Sequence, residues 1–165
     1  RFTLQLAPVH VEDFLASVVH DWRAREPDRE WVVGGVEAGV IEADVRLLRR
    51  SLDELVDNAV RYSPANAPIS LRAESSGPVE EGAAGVDQRF VGLVVEDVGG
   101  GLTPQTLAAL RLEDPFASGS TTTSGGFGLG LPFVRRVARA HGGRLVAENR
   151  EGGGSVFVIE IPNRR

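Results

Sequence analysis

The sequence predicts an α+β protein, a two-layer α/β sandwich in which helices cover one face of a mixed, mainly antiparallel sheet. Three observations lead there. Long segments carry apolar residues at helical spacing, shorter ones alternate or run apolar like strands, and the two kinds do not follow strict βαβ order. With 165 residues, 42% apolar and 25% charged, the chain suits one domain over 1–165, able to bury roughly 70% of its unfolded surface.

"FTLQLAP" (residues 2–8) alternates like a strand. From Val11 the apolar residues Phe14, Leu15, Val18, Val19 and Trp22 recur at helical spacing, and this helix ends near Pro27. "EWVVG" and "GVIEA" read as short strands split by a Gly-rich turn. Asp44 then suits the cap of a long helix running to about Tyr62, closed by Pro64. "APISLRAES" (67–75) is a strand, "SGPVEEGAAGVDQ" (76–88) a polar loop, and "RFVGLVVED" (89–97) a strand apolar enough for burial on both faces. A short helix from about Thr103 to Leu110 precedes a Ser/Thr/Gly-rich segment, 114–126. A further helix from about Leu131 and a hairpin, "GRLVAENR" and "SVFVIEIP" around "EGGG", complete the chain. There is no internal repeat.

Composition removes several classes. A net charge of −5 argues against general binding to a nucleic-acid backbone. With no Cys, disulfides and thiolate metal sites are excluded. No apolar run approaches the ~20 residues that a membrane span needs. Every Lys/Arg position is Arg, which a GC-rich coding bias explains as well as function does. The chain has no Met and opens mid-pattern at "RFTLQL", so it is expected to be a piece of something longer.

Three stretches carry chemistry. In "DVRLLRRSLDELVDNAVRYSP", Leu48, Leu52, Leu55 and Ala59 form the stripe that should face the sheet. Leu47, Glu54, Asn58 and Arg61 form the neighbouring stripe, and Glu54 and Asn58 lie one turn apart, so their oxygens converge. A carboxylate and an amide carbonyl beside a basic residue suit a hydrated magnesium ion that bridges phosphates; an ordinary solvated helix face fits the same residues. "VVEDVGGGL" (94–102) sets Asp97 at a buried strand end before three glycines. Such a carboxylate can accept a hydrogen bond from the amino group of adenine, over a backbone that can pass close under a flat ring. A tight turn closed by an Asp that bonds its own backbone is the alternative. In "GGFGLGL", Gly128 and Gly130 precede a helix whose first turn Pro132 suits, and its N–H groups and dipole would favour phosphate. The dinucleotide pattern G-x-G-x-x-G fails here because its third glycine would be Leu131, and the Walker pattern fails for want of Lys.

In that order, the motifs resemble the ATP-binding catalytic domain of bacterial sensor histidine kinases, members of the GHKL superfamily with its Bergerat fold. "DELVDNAVRYSP" resembles the asparagine box, "EDVGGGL" the first glycine box, "DPF" the second half of the phenylalanine box, and "GGFGLGL" the second glycine box. "LQLAPVHVEDFLASVV" resembles the segment that leaves the dimerisation helices. The resemblance implies ATP and magnesium as ligands. Asn58 would coordinate the metal, Glu54 would assist through metal-bound water, Arg61 would approach the phosphates, and Tyr62 would pack near the adenine. Asp97 would read the adenine amino group, with Gly99 and Gly101 shaping its pocket. Residues 114–126 would be the ATP lid, Gly126, Gly128 and Gly130 would cradle phosphate, and Leu129 and Leu131 would pack beneath the lid.

The reaction implied is transfer of the γ-phosphoryl group to a histidine on a separate dimerisation domain of the same parent protein. A response regulator would follow indirectly in a two-component system. His10, His20 and His141 are scattered, and His141 in "AHGG" suits helix-end packing rather than phosphoacceptance. The isolated chain is therefore expected to be a monomer that does not phosphorylate itself. A cytoplasmic location is implied, with the parent's membrane anchorage left open. Glu113 stands where the first phenylalanine of its box would fall, and Phe127 where a small or hydroxylated residue is usual. Val98 and Gly100 replace the common Asn and Pro. An anti-sigma-type serine kinase, a gyrase-, chaperone- or mismatch-repair-like ATPase, and a degenerate nucleotide-binding interaction module remain as alternatives.

Overall fold

The computed structural model describes residues 3–36, 39–76, 89–111 and 130–163. Its elements are β1 (Ala7–His10), α1 (Val11–Arg25), β2 (Trp31–Val36), β3 (Val40–Ala43), α2 (Val45–Tyr62), β4 (Ile69–Ser76), β5 (Arg89–Glu96), α3 (Pro104–Arg111), α4 (Gly130–Ala140), β6 (Arg144–Asn149) and β7 (Ser155–Asn163). Five strands form one sheet in the order β2-β4-β5-β7-β6, in which only β2 and β4 run parallel. Register sets Leu71 opposite Val95, Val95 opposite Phe157, and Leu93 opposite Ile159. These side chains share one face and are buried in a single core with Phe14 and Leu15 of α1, Leu52 and Leu55 of α2, and Val134 and Val137 of α4.

The other face of the sheet is polar. There Arg72 bonds Glu74 and Glu96, and Arg150 bonds Glu96. Burial opposes the charge of Arg72, yet the two carboxylates outweigh it and raise its pKa. Val94, between Arg72 and Val158, is buried on this side, so β5 is covered on both faces as its composition predicted.

Two features differ from the sequence reading. The first strand is not 2–8: pairing with β3 begins only at Ala7. The preceding backbone is engaged elsewhere, since the Gln5 N–H donates to Asp44 at 2.9 Å. In addition, β1 and β3 form a separate two-stranded ribbon and do not join the single sheet.

The predicted cap is present. Asp44 Oδ1 accepts from the N–H groups of Arg46 and Leu47 at 3.2 Å, meeting two of the donors that every helix start leaves unpaired. Leu48, Leu52, Leu55 and Ala59 are buried, as their spacing required. Helix α4 lies antiparallel on α2. At one end the Asp44 N–H donates to His141 Nε2 at 3.0 Å, which places the ring proton on Nδ1, donated to the Val137 carbonyl at 2.8 Å. Midway, the Arg50 guanidinium stacks 4.1 Å over the Phe133 ring. His141 is thus a buried packing residue.

Candidate functional site

The α2 sequence puts Glu54 and Asn58 on the edge facing α4. Asn58 is only 7% exposed, and its Nδ2 is buried without a hydrogen-bond partner among the described residues. Buried polar atoms are nearly always paired, and this N–H donor suits an acceptor such as a phosphate oxygen or a water. Glu54 is half-buried and lies against the first residue of α4. A Cβ at Gly130 would come within 2.6 Å of Glu54 Oε2, so only glycine admits that carboxylate at the helix start. The Glu54 carboxylate therefore meets the N-terminus of α4, and Asn58 follows one turn later on α2.

The second half of the site lies at the end of β5. Asp97 is 5% exposed. Its Oδ1 accepts the Gly99 N–H at 2.8 Å and its Oδ2 accepts the Ser155 hydroxyl at 2.7 Å. The backbone-bonding turn and the oriented carboxylate are both present, so the alternatives are not exclusive; each oxygen retains acceptor capacity. A Cβ at Gly99 would lie 2.4 Å from the Tyr62 carbonyl oxygen, so this loop abuts the C-terminus of α2. Gly101 has φ +80, and Asn149 holds the next residue by accepting from the Leu102 N–H at 2.6 Å and donating to its carbonyl at 3.1 Å.

Arg61 is exposed at the rim and pairs with Asp57 one turn earlier at 3.1 Å. Tyr62 is partly exposed beside the Gly99 turn. Leu131 is buried in the core, a packing position. Gly126, Gly128, Leu129, the segment 114–126, Glu113 and Phe127 lie outside the described residues.

Sequence reasoning missed Ser155, Asn149 and Arg150. Ser155 left a signal: alternate positions 155, 157, 159 and 161 of β7 are buried on one face, and a lone hydroxyl heads a row of Phe157, Ile159 and Ile161. Arg150 donates to the Asp97 carbonyl at 3.2 Å, a backbone contact that leaves no trace in a motif.

This sandwich is the fold of histidine kinase ATP-binding domains. It superposes on a mycobacterial sensor histidine kinase, MprB, with TM-score 0.73 and 25% identity over 97% of this chain and 99% of that one. It also matches full-length ShkA in complex with AMPPNP, with TM-score 0.70 and 28% identity over 98% of this chain and 32% of that one. Among curated relatives, the sensor protein CutS of Streptomyces coelicolor is 34% identical over 159 residues, 94% of this chain. The chain spans 36% of the length of CutS. Residues 43–165 match the family described as histidine kinase-, DNA gyrase B- and HSP90-like ATPases, and the chain belongs to that family. No helix among the described residues is long and apolar enough to cross a membrane.

Proposed function

We propose that this domain binds Mg-ATP and donates the γ-phosphoryl group to a histidine on a separate dimerisation domain of its parent protein, in a two-component system. The observation that carries the proposal is the Glu54 carboxylate held against the start of α4, with the buried Asn58 amide one turn further along α2. Among the described residues no cluster of three or more His, Cys, Asp or Glu could hold a metal. A site with so few protein ligands suits magnesium, which keeps several waters and takes others from phosphate.

Asn58 would ligate the ion through Oδ1, and Glu54 would hold one of its waters. The ion would neutralise charge on the triphosphate during transfer. Asp97, held by Ser155 and Gly99, would accept from the adenine amino group, while Tyr62 borders the base and Arg61 the phosphates. Gly126, Gly128 and Gly130 would complete the cradle under a lid at 114–126. The bond from the γ-phosphorus to the bridging oxygen breaks and a bond to the imidazole nitrogen forms, with ADP leaving. Positioning and charge neutralisation supply the rate. A response regulator would receive the phosphoryl group afterwards, and the segment would work in the cytoplasm.

Calorimetric titration with Mg-AMPPNP checks binding, and γ-labelled ATP with the dimerisation helices supplied in trans checks transfer. Acid-labile label on those helices, with none on the domain alone, is expected. Acid-stable label would point to a serine kinase, and no binding to a degenerate module.

A further inference from the structure

Arg29 precedes the residues that match the family, and none of the roles above uses it. It lies in the turn after α1 and is only 8% exposed. Its Nη1 reaches Ser63 Oγ and the carbonyls of Pro64 and Ala67, each at 3.0 Å, and its Nη2 donates to the Val60 carbonyl at 3.3 Å. Its Nε is buried without a partner among the described residues. Among the described residues no carboxylate forms an ion pair with it.

A buried guanidinium without a carboxylate is costly unless dipoles replace the lost water. Here they all belong to the last turn of α2 and the turn that follows, the negative end of the helix dipole. Ser63 extends the clamp inward, its hydroxyl donating to the Ala59 carbonyl at 2.5 Å while accepting from Arg29. These acceptors are interleaved with site residues: Asn58 precedes Val60, and Tyr62 stands between Val60 and Ser63. The Tyr62 carbonyl is the atom against which Gly99 packs, and Gly99 donates to Asp97.

We infer that Arg29 is a positioning residue for the base-binding end of the nucleotide site. By holding the end of α2 and residues 63–67, it fixes the Tyr62 backbone against Gly99 and so sets the gap in which Asp97 meets the base. The inference rests on the nucleotide proposal above. Lysine would be a poor substitute, because a point charge on a flexible stem does not reproduce a planar fork that spans four acceptors.

The wild type, Arg29→Gln, Arg29→Lys and Ser63→Ala are titrated with Mg-AMPPNP, Mg-GMPPNP and magnesium tripolyphosphate, at a temperature where circular dichroism shows the protein folded. The wild type should prefer the adenine nucleotide. In Arg29→Gln that preference should fall about tenfold, the effect of losing roughly one charge-assisted hydrogen bond. Arg29→Lys should restore little of it, and Ser63→Ala should shift it less in the same direction. Tripolyphosphate binding should be unchanged throughout. A lowered melting temperature with the wild-type base preference intact would make Arg29 a mere stability residue and overturn the inference. If Arg29→Gln does not fold, the base preference of Ser63→Ala decides the matter by the same criterion. A wild type that binds none of the three ligands would instead overturn the nucleotide proposal itself.

Discussion

Asp44 and Asn58 stand at opposite ends of α2 and both are almost fully buried, yet their polar atoms meet opposite fates. Each polar atom of Asp44 has at least one partner. Oδ1 caps the helix, Oδ2 accepts from Gln5, the N–H donates to His141, and the carbonyl accepts from the Leu48 N–H at 3.0 Å. Burial works against its charge, but N–H groups of Gln5 and Leu47, together with the charge and N–H of Arg46, outweigh it and hold the carboxyl below its ordinary range. Asn58 instead keeps a buried amide nitrogen unpaired among the described residues, at a cost of about 1–3 kcal/mol for such a group. Complete satisfaction marks the end of the helix that builds the domain. An unpaired donor marks the other end, where the nucleotide is proposed to bind.

Substitution of Asn58 should give the largest effect. Asn58→Ala should slow phosphoryl transfer by about 100-fold or more, the scale for removing one preorganised polar group. Because the amide nitrogen has no partner to lose, urea unfolding should shift by no more than about 1 kcal/mol. A large loss of stability would show that the amide is structural after all, and the contrast with Asp44 would collapse. Asp97→Asn comes next. Its oxygens hold Gly99 and Ser155, and an amide presents a donor where the adenine amino group needs an acceptor, so adenine-nucleotide affinity should fall about tenfold in calorimetry.

Gly130→Ala sharpens the contrast. The new Cβ would displace the Glu54 carboxylate, which sits at the end of a flexible side chain. Transfer should therefore slow several-fold in a single-turnover assay. Stability should hold, or rise by up to about 1 kcal/mol from the gain in helix propensity. Asp44→Ala should do the reverse and give the smallest effect. It should lose about 1 kcal/mol of stability with the cap, while nucleotide affinity stays unchanged. Asp44 binds a proton less readily folded than unfolded, so its contribution is full above the ordinary carboxylate pKa of about 3.9 and fades as pH falls below it. Urea midpoints measured from pH 7 downward should therefore show wild type and Asp44→Asn converging in acid.

Local chemistry made much of this legible. The cap at Asp44, the stripe from Leu48 to Ala59 and the stop at Pro64 depend on neighbours within a turn or two. Glu54 and Asn58 were readable as a pair because helical geometry alone brings them together. The first strand was misplaced because alternation in "FTLQLAP" says nothing of Asp44, whose carboxylate takes the Gln5 N–H across 39 residues of sequence. Ser155 showed only a faint sign, a hydroxyl on an apolar row, and Arg29 none, since its acceptors are mostly main-chain carbonyls that any sequence supplies.

The sequence by itself determined most of the helices and strands, the first strand apart, and which side chain types were offered for metal, phosphate or a purine. Those properties follow from periodicity, cap chemistry and glycine placement, all set within a few residues. Only the tertiary structure decided which groups were satisfied: Asp97 by Ser155 across 58 residues, Asp44 by His141 across 97, and the Asn58 Nδ2 by none of the described residues. Hydrogen bonds between distant elements depend on how the layers pack, and packing sums over the whole core.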